Sequence, residues 1–498
     1  MSTFDGLEMA KQALFAQQSA LYTTSHNISN ANTDGYTRQR VNFETSTSFP
    51  PSSRNGPEIA GQRGTGVETG SIQRVRNQFL DNQYRTENSS SGYWGAKSDA
   101  LERVENVMNE PSDTGLSAVM DDFWKSLEDV STNPDDSGAR SVAAQRGQAV
   151  AETFNFLSDS LNTIKEDLNT QIGDKVNEVN SIASQIDTIN DQVKKAEANG
   201  QLPNDLYDKR DNLIDDLSGI VDIQVEYEGS SEGAPKMADG LAKINLVNND
   251  ETVLVKGKTN DDQGFNEISE TPGEDGDISI KEFTNSEGDI IIPVQKASPN
   301  APTGSLKGLV ESSKYVEDDM LGDLDDLANT FASAFNEVHK DGVNLKGQQG
   351  TDKFFKDESD KKITAGSITI NESIVNSPDK IAAAESNNAG DGDNAQDLAD
   401  IFDTSQKDLD DDSINGFYQS MIGEMGVTAQ EANNKADNTE TLRSQVETQR
   451  QSVGSVSLDE EMANMVEFQH AYNAAARSMT AVDEMLDRVI NNMGLVGR

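Results

Sequence analysis

The sequence contains no cysteine, only three histidines and two tryptophans, and 6% aromatic residues in 498 positions. Without cysteine there is no disulfide scaffold, no thiol catalysis and no cysteine zinc site. His26, His339 and His470 form no HExxH pair, which excludes the commonest zinc hydrolase arrangement. No stretch approaches the ~18 consecutive apolar residues of a membrane helix. The opening MSTFDGLEMAKQ has no basic segment leading into an apolar run, so an ordinary secretory signal is not expected. Bases are also short: 41 Lys and Arg face 87 Asp and Glu, a net charge of -46. That balance argues against a nucleic-acid partner, and nothing points to a membrane one. A hydrophobic fraction of 34% and a mean hydropathy of -0.66 are low for one compact globule and suit an elongated chain.

The charge is unevenly distributed. Residues 1–90 hold eight acids and eight bases, and residues 440–498 hold nine acids and five bases, so -42 of the total lies between 91 and 439. Seven of the eight bases in residues 1–90 are arginine, and no lysine follows Lys435. Arginine is favoured at buried interfaces for its weakly hydrated, planar fork. Both ends therefore read as prepared for contact with other chains, and the middle as solvated.

Both ends also carry coiled-coil periodicity. Leu7, Leu14, Leu21 and Ile28 recur every seven residues, with Ala10, Ala13, Ala16 and Ala20 between them. Near the other end Leu458, Met465, Tyr472, Met479, Leu486 and Met493 form one heptad position, and Phe468, Ala475, Val482, Val489 and Val496 the other. Ser457 with Glu460 three residues on reads as a capping box. The two seams can close on one another and on neighbouring subunits; an ordinary intramolecular helix pair is the plainer alternative.

Between them the expected fold is multidomain and mainly α, with an inserted β domain. Residues 1–45 form the N-terminal helix and a turn, pairing with a C-terminal coiled-coil helix at 445–498. Residues 46–220 are a mainly helical body, where Ile172, Val176, Val179, Ile182, Ile186, Ile189 and Val193 alternate spacings of three and four before Gly200 and Pro203 end the run. Residues 221–303 break into short β-type runs between Gly, Asp and Asn, and 304–444 return to helix with a mixed segment at 345–410. The Gly/Asp-rich loops of the β insertion predict an outward-facing element that assembly can lose, residues 231–300 included.

Catalytic motifs do not emerge. There is no GxSxG elbow. Gly257-Lys258-Thr259 lacks the upstream glycine of a phosphate-binding loop, and Gly64-Thr65-Gly66 lacks the third glycine of a dinucleotide fingerprint. Asp411, Ser413, Asn415 and Gly416 start like a calcium loop, but its twelfth position is Ile422. Adjacent carboxylates such as Asp215-Asp216 and Asp410-Asp411-Asp412 read as solvated faces. No catalytic, cofactor-binding or metal-ligating residue is assigned.

What the ends do carry is a motif. His26-Asn27-Ile28-Ser29-Asn30-Ala31-Asn32-Thr33-Asp34-Gly35-Tyr36-Thr37-Arg38-Gln39 is a polar helix-terminating turn, and it resembles the N-terminal signature of axial flagellar proteins. Ser29 and Asp34 replace a common Ala and Pro. Pro203-Asn204-Asp205-Leu206-Tyr207-Asp208-Lys209-Arg210-Asp211 resembles an internal signature of the hook-associated protein 1 family. Leu327-Ala328 through Asn336, His339, Gly342 and Phe354-Phe355 is similar to the same family. So are Gln449-Arg450-Gln451-Ser452-Val453 and Val456 through Met462, with Gly454-Ser455 in reversed order. The signature positions this resemblance singles out are Asn27, Asn30, Asn32, Thr33, Gly35, Tyr36, Asn204, Asp205, Leu206, Asp208, Arg210 and Asp211. It implies an elongated axial subunit of the hook–filament junction, extracellular and exported through the flagellar type III route without a cleaved signal. It further implies a homo-oligomeric helical tube, hook protein on one side, a second hook-associated protein on the other, and a cytosolic export chaperone on the C-terminal helix.

Overall fold

The computed structural model describes residues 3–47, 64–108, 112, 115–247, 253–257, 264–268, 278–281, 289–292, 304–357, 362–388, 390–409 and 411–492. The chain opens with helix α1 (Thr3–Ser29) and a hairpin of β1 (Gln39–Thr45) and β2 (Val67–Arg74). Helices α2 (Gln78–Met108), α3 (Leu116–Thr132), α4 (Ser137–Ala198) and α5 (Asn204–Ile220) follow. Next come β3 (Ile223–Glu228), β4 (Leu241–Leu246), β5 (Val253–Val255), β6 (Glu267–Ile268), β7 (Ile278–Lys281) and β8 (Asp289–Ile292). Helix α6 (Gly304–Lys314) runs through a π-helical segment (Tyr315–Leu321) into α7 (Gly322–Asp341). After β9 (Phe355–Asp357) and β10 (Ile368–Ile370) come α8 (Glu372–Val375), α9 (Asp393–Asp400), α10 (Ile414–Gly454) and α11 (Leu458–Asn492).

The 62-residue α4 is the spine. Asp136 caps it, its side chain accepting from Gly138 N at 2.8 Å, and Gly200 at φ +75° ends it before Pro203. Its apolar stripe is buried from Val150 to Val193. At one end the core is a phenylalanine cluster in which Phe123, Phe154, Phe331, Phe335, Phe354, Phe355 and Phe402 are almost fully enclosed. Gly147 admits this packing, because a Cβ there would lie 2.9 Å from the Phe354 ring.

His339 is fully buried against Phe354, and its Nε2 accepts from Ala382 N at 3.1 Å, so the ring is held neutral. Burial pushes its pKa down from the ordinary 6.5 to about 4. The unfolded chain therefore takes up this proton first on acidification. The stabilisation is complete above pH 6.5 and is lost as pH falls toward 4, by about 3 kcal/mol at 1.36 kcal/mol per unit. We expect His339→Gln to flatten the wild-type decline in urea stability between pH 6.5 and 4.5. Parallel profiles for the two proteins would show that His339 contributes nothing to the acid sensitivity.

Two expectations are corrected here. The first concerns the β insertion. Strands β3, β4 and β5 form an antiparallel sheet whose Ala242, Ile244, Leu254 and Val255 belong to the main core. Asn190 of α4 binds both the N–H and the carbonyl of Ala242, at 3.0 and 2.8 Å, and Asn180 does the same for Ile268 at 2.8 and 2.9 Å. Glu197, fully buried, accepts from Tyr207 Oη, Ser230 Oγ and Gly240 N. A deletion from 231 would remove these core residues, which corrects the expectation of a wholly outward-facing insertion.

The second concerns Asp215. It is buried and paired, not part of a solvated face. The hairpin, meanwhile, gave no clear signal in the sequence. Its register runs from Gln39↔Arg74 to Thr45↔Val67 with a bulge at Gly70, where a Cβ would meet the Glu44 side chain at 2.5 Å. The C-terminal helix expected over 445–498 begins only at Leu458, because a break at Ser455–Ser457 separates α10 from α11.

Candidate assembly face and the polar joint behind it

Helices α1 and α11 pack antiparallel. A Cβ on Gly6 would lie 3.6 Å from Val482, and Asn27 bonds Glu461, twenty-one residues further along each helix in opposite directions. The centre of the α1 contact is small and polar: Ala10, Ala16, Ala20, Thr23, Thr24 and Asn27 are buried. Leu7, Leu14, Leu21 and Ile28 flank it half-buried, as do Met465, Phe468, Tyr472, Met479, Val482 and Leu486 on α11. Leu458 and Val489 are exposed because they lie where α1 has run out. Met493 and Val496 lie outside the described residues. The β1–β2 hairpin covers part of the pair, with Phe43 edge-on to Phe468 at 6.2 Å.

Further apolar residues of the pair remain bare. Phe15, Tyr22, Met462, Val466, Met485 and Ile490 are between half and three-quarters exposed. Such a surface is atypical of a free-standing pair and typical of an interface.

At the end of the pair the signature turn builds a joint. Asn27, 1% exposed, uses every polar position it has. Its Oδ1 accepts from Tyr36 Oη (2.8 Å) and Gln39 N (3.0 Å), and its Nδ2 donates to Gln39 O (2.8 Å) and Glu461 Oε2 (3.1 Å). Because Tyr36 Oη donates to Asn27, it accepts from His26 Nδ1 at 3.0 Å. Burial, then Asp205, Asp208 and Glu461, raise the Tyr36 pKa and keep the hydroxyl protonated. Asn30 donates to His26 O and accepts from Thr33 Oγ1, Thr33 O accepts from Tyr36 N, and Asn32 is exposed. Gly35 turns the chain at φ +67°, tight against Asn212, where an L side chain would be strained.

Arg38 then ties the turn to the break between α10 and α11. Its N–H donates to Gly454 O (2.8 Å), its Nε pairs with the buried Glu461 (2.9 Å), and its NH1 pairs with Glu460 (2.8 Å). Ser457 Oγ accepts from Glu460 N at 3.5 Å, as a cap does, but the Glu460 carboxylate turns to Arg38 and not back to the Ser457 backbone.

The second signature run meets the first across some 170 residues of sequence. Asn204 Nδ2 donates to Gln39 Oε1 (3.2 Å) and Ile72 O (3.0 Å), Asp205 accepts from Gln39 Nε2 (3.1 Å), and Asp208 accepts from Thr37 N (3.2 Å). Leu206 packs against the small cluster of Val193, Tyr207 and Leu241. Arg210 is buried with its guanidinium over the rings of Tyr207 (5.3 Å) and Tyr227 (5.0 Å), donating to Gly240 O at 2.6 Å.

Asp211 lies at the centre of an ion network. It accepts from Arg74 and Arg76, both at 2.7 Å, and from Tyr227 Oη at 3.0 Å. Burial alone would raise its pKa, but Arg76, Arg74, Arg210 and Arg85 hold it far below the usual carboxylate range. Arg76 also binds Asp81, Arg85 binds Asp215, and Arg74 binds Asp208 and Asp239. Arg450 of α10 closes the network on Asp81 (3.2 Å) and Asp215 (2.5 Å). Four of the arginines near the start of the chain, Arg38, Arg74, Arg76 and Arg85, are thus spent on ion pairs within the chain. The expectation that they served contact with other chains is corrected for these four. Gln39, Glu461 and Arg450 stood in the sequence only as members of matching runs, with no partner within the chain foreseen for them; the excess of Arg over Lys was the signal available.

Among the described residues no group of three or more His, Asp or Glu is arranged to hold a metal ion, and no helix is long and apolar enough to cross a membrane. The arrangement is mechanical: one apolar pair of helices, braced against a body through buried polar contacts.

The helical domain family of flagellar hook-associated protein FlgK matches residues 101–355. A flagellar hook-associated protein 1 from Bacillus subtilis is 44% identical over the whole length of both chains. The chain belongs to the flagellar hook-associated protein 1 family. Two further matches sit at the ends of the chain, the flagella basal body rod family at residues 7–37 and the C-terminal family of the rod FlgEFG proteins at 455–493. The flagellar hook-associated protein 1 of Escherichia coli is 26% identical over 97% of this chain and 98% of its own. The solved structure of the flagellar hook junction protein FlgK from Burkholderia pseudomallei covers 76% of this chain and 100% of its own, with a TM-score of 0.62 at 14% identity. At that identity the likeness shows a shared fold. As a member of this family the chain is a structural component of the flagellum.

Proposed function

We propose that the chain builds the junction between flagellar hook and filament as a non-catalytic adaptor. In this reading it leaves the cell by the flagellar type III route without a cleaved signal, escorted by a cytosolic chaperone on α11. Copies then form a helical tube through α1 and α11, with hook protein on one side and a second hook-associated protein on the other. The seam residues from Leu7 to Ile28 and from Met465 to Leu486 hold each pair together, Leu458 and Val489 are left for neighbouring copies, and the signature residues brace the pair against the body. The supporting observation is the exposed apolar surface on both helices, Phe15 and Tyr22 on α1 and Met462, Val466, Met485 and Ile490 on α11. At about 25 cal/mol per Å2, burying such surface between copies supplies several kcal/mol per subunit.

Truncation after Ser457 tests this. It removes α11 while leaving Arg450 and its network in the body. We expect the truncated protein to keep the helical circular dichroism of its body and to leave a strain lacking the native gene non-motile, with filament subunits shed into the medium. Restored motility would refute α11 as the assembly element.

A further inference from the structure

The face of α1 turned away from α11 carries two aromatic knobs one heptad apart, Phe15 (60% exposed) and Tyr22 (74% exposed). Among the described residues none covers either ring. Elsewhere, between β2, the start of α2 and the end of α10, a hollow of about 670 Å3 opens onto solvent. Its rim sets three apolar side chains, Phe79 at 73%, Met237 at 52% and Val453 at 38% exposed, among the polar Gln73, Asn77 and Gln78. Its floor includes Arg74, Arg76 and Asp239, whose charges are already spent on one another and on Asp208 and Asp211. The hollow therefore suits an apolar or phenolic side chain better than a charged one.

We propose that Tyr22 of one copy seats in the Phe79–Met237–Val453 hollow of a second copy. Three observations select a second copy as the occupant. Knob and hollow lie at different places on the same chain, which is the condition for a head-to-tail contact that propagates into a ring or helix rather than closing as a dimer. The knob comes from residues 1–90, which carry no net charge, so it approaches without the repulsion that the -42 of the middle imposes between copies. The hollow is also continuous with the joint. A second hollow floored by Thr33, Tyr36 and Gly454 shares Arg76, Asn77 and Val453 with it, so a chain seated there would extend the contact made by the terminal helices. Met237, unbranched and polarizable, is able to adapt to the incoming ring.

The proposal rests on the tubular assembly above, and the absence of native cysteine makes it testable by disulfide trapping. Tyr22→Cys and Met237→Cys are combined in one gene and expressed in a strain lacking the native copy, and isolated flagella are oxidised with copper phenanthroline. The expected result is a ladder of covalent multimers from the double variant and monomer from each single variant. Phe79→Cys in place of Met237→Cys serves as the second pair, should Met237→Cys fail to assemble. A ladder from Tyr22→Cys alone would mean that copies meet knob to knob, and an internally closed monomer would mean that the contact lies within one chain; either overturns the proposal. Formaldehyde treatment of the same flagella separates the two ideas. Formaldehyde multimers without disulfide multimers would sink the seat for Tyr22 alone, and absence of both would sink the tube beneath it.

Discussion

Asp211→Ala should destabilise the body by about 3–5 kcal/mol, the usual cost of removing one partner from a buried ion pair. Among the network's carboxylates it is the one that Arg74, Arg76 and Arg85 share. Arg74 and Arg76 reach Asp211 at 2.7 Å and Arg85 at 3.8 Å, and their side chains are at most 13% exposed, so alanine leaves like charges facing one another with little water to screen them. The wild-type carboxylate is held well below its ordinary pKa, so its contribution is complete above the ordinary carboxylate range and drains away as pH falls below it. The variant should thus be weakest relative to wild type near neutrality, and the gap should narrow in acid. Urea unfolding of both proteins at pH 7 and pH 3 measures this. A loss under about 1 kcal/mol at pH 7 would mean that the arginines find other anions or water, and that Asp211 is no keystone.

Asn27→Asp should open the joint between the terminal helices and the body while sparing the body itself. The two residues have the same shape, but the aspartate trades two donors for acceptors. Those donors face the Gln39 carbonyl and the Glu461 carboxylate. Losing both bonds and adding repulsion to a buried Glu461 should cost about 3 kcal/mol, or about a hundredfold faster local opening. Hydrogen exchange should register it at residues 20–30 and 458–470, with α4 unchanged. Adding Glu461→Gln to the aspartate variant should recover part of the protection, since an amide can donate where the carboxylate repelled. Wild-type exchange in Asn27→Asp would show that the joint does not depend on this side chain.

Both variants act on residues that the sequence pattern brought forward, yet it assigned them no partner. Asn27 and Asp211 belong to motifs some 180 positions apart, and nothing along the chain says that the turn carrying one sits on the helix carrying the other. The hairpin brings them together, and its strands are short, polar and bulged at Gly70, so they gave no period to read. Once it is in place, Arg74 and Arg76 project from its end into α5, and Gln39 bonds Asn204 and Asp205.

Periodicity by itself determined that the ends are helices with one apolar stripe each, that α4 is a long spine stopping at Gly200, and that β structure follows residue 221. These are local matters, because a 3.6 or 3.5 repeat is written in consecutive residues whatever they pack against. Burial of charge was decided only by the tertiary structure. Asp215 and Asp216 are neighbours in sequence and chemically alike, but α5 turns one toward Arg85 and Arg450 and the other to solvent. The same holds for the β strands after 221, whose pattern could not reveal that Asn180 and Asn190 would clamp them to α4. A polar side chain is costly inside unless its partner is there, and the partner's position is a property of the fold.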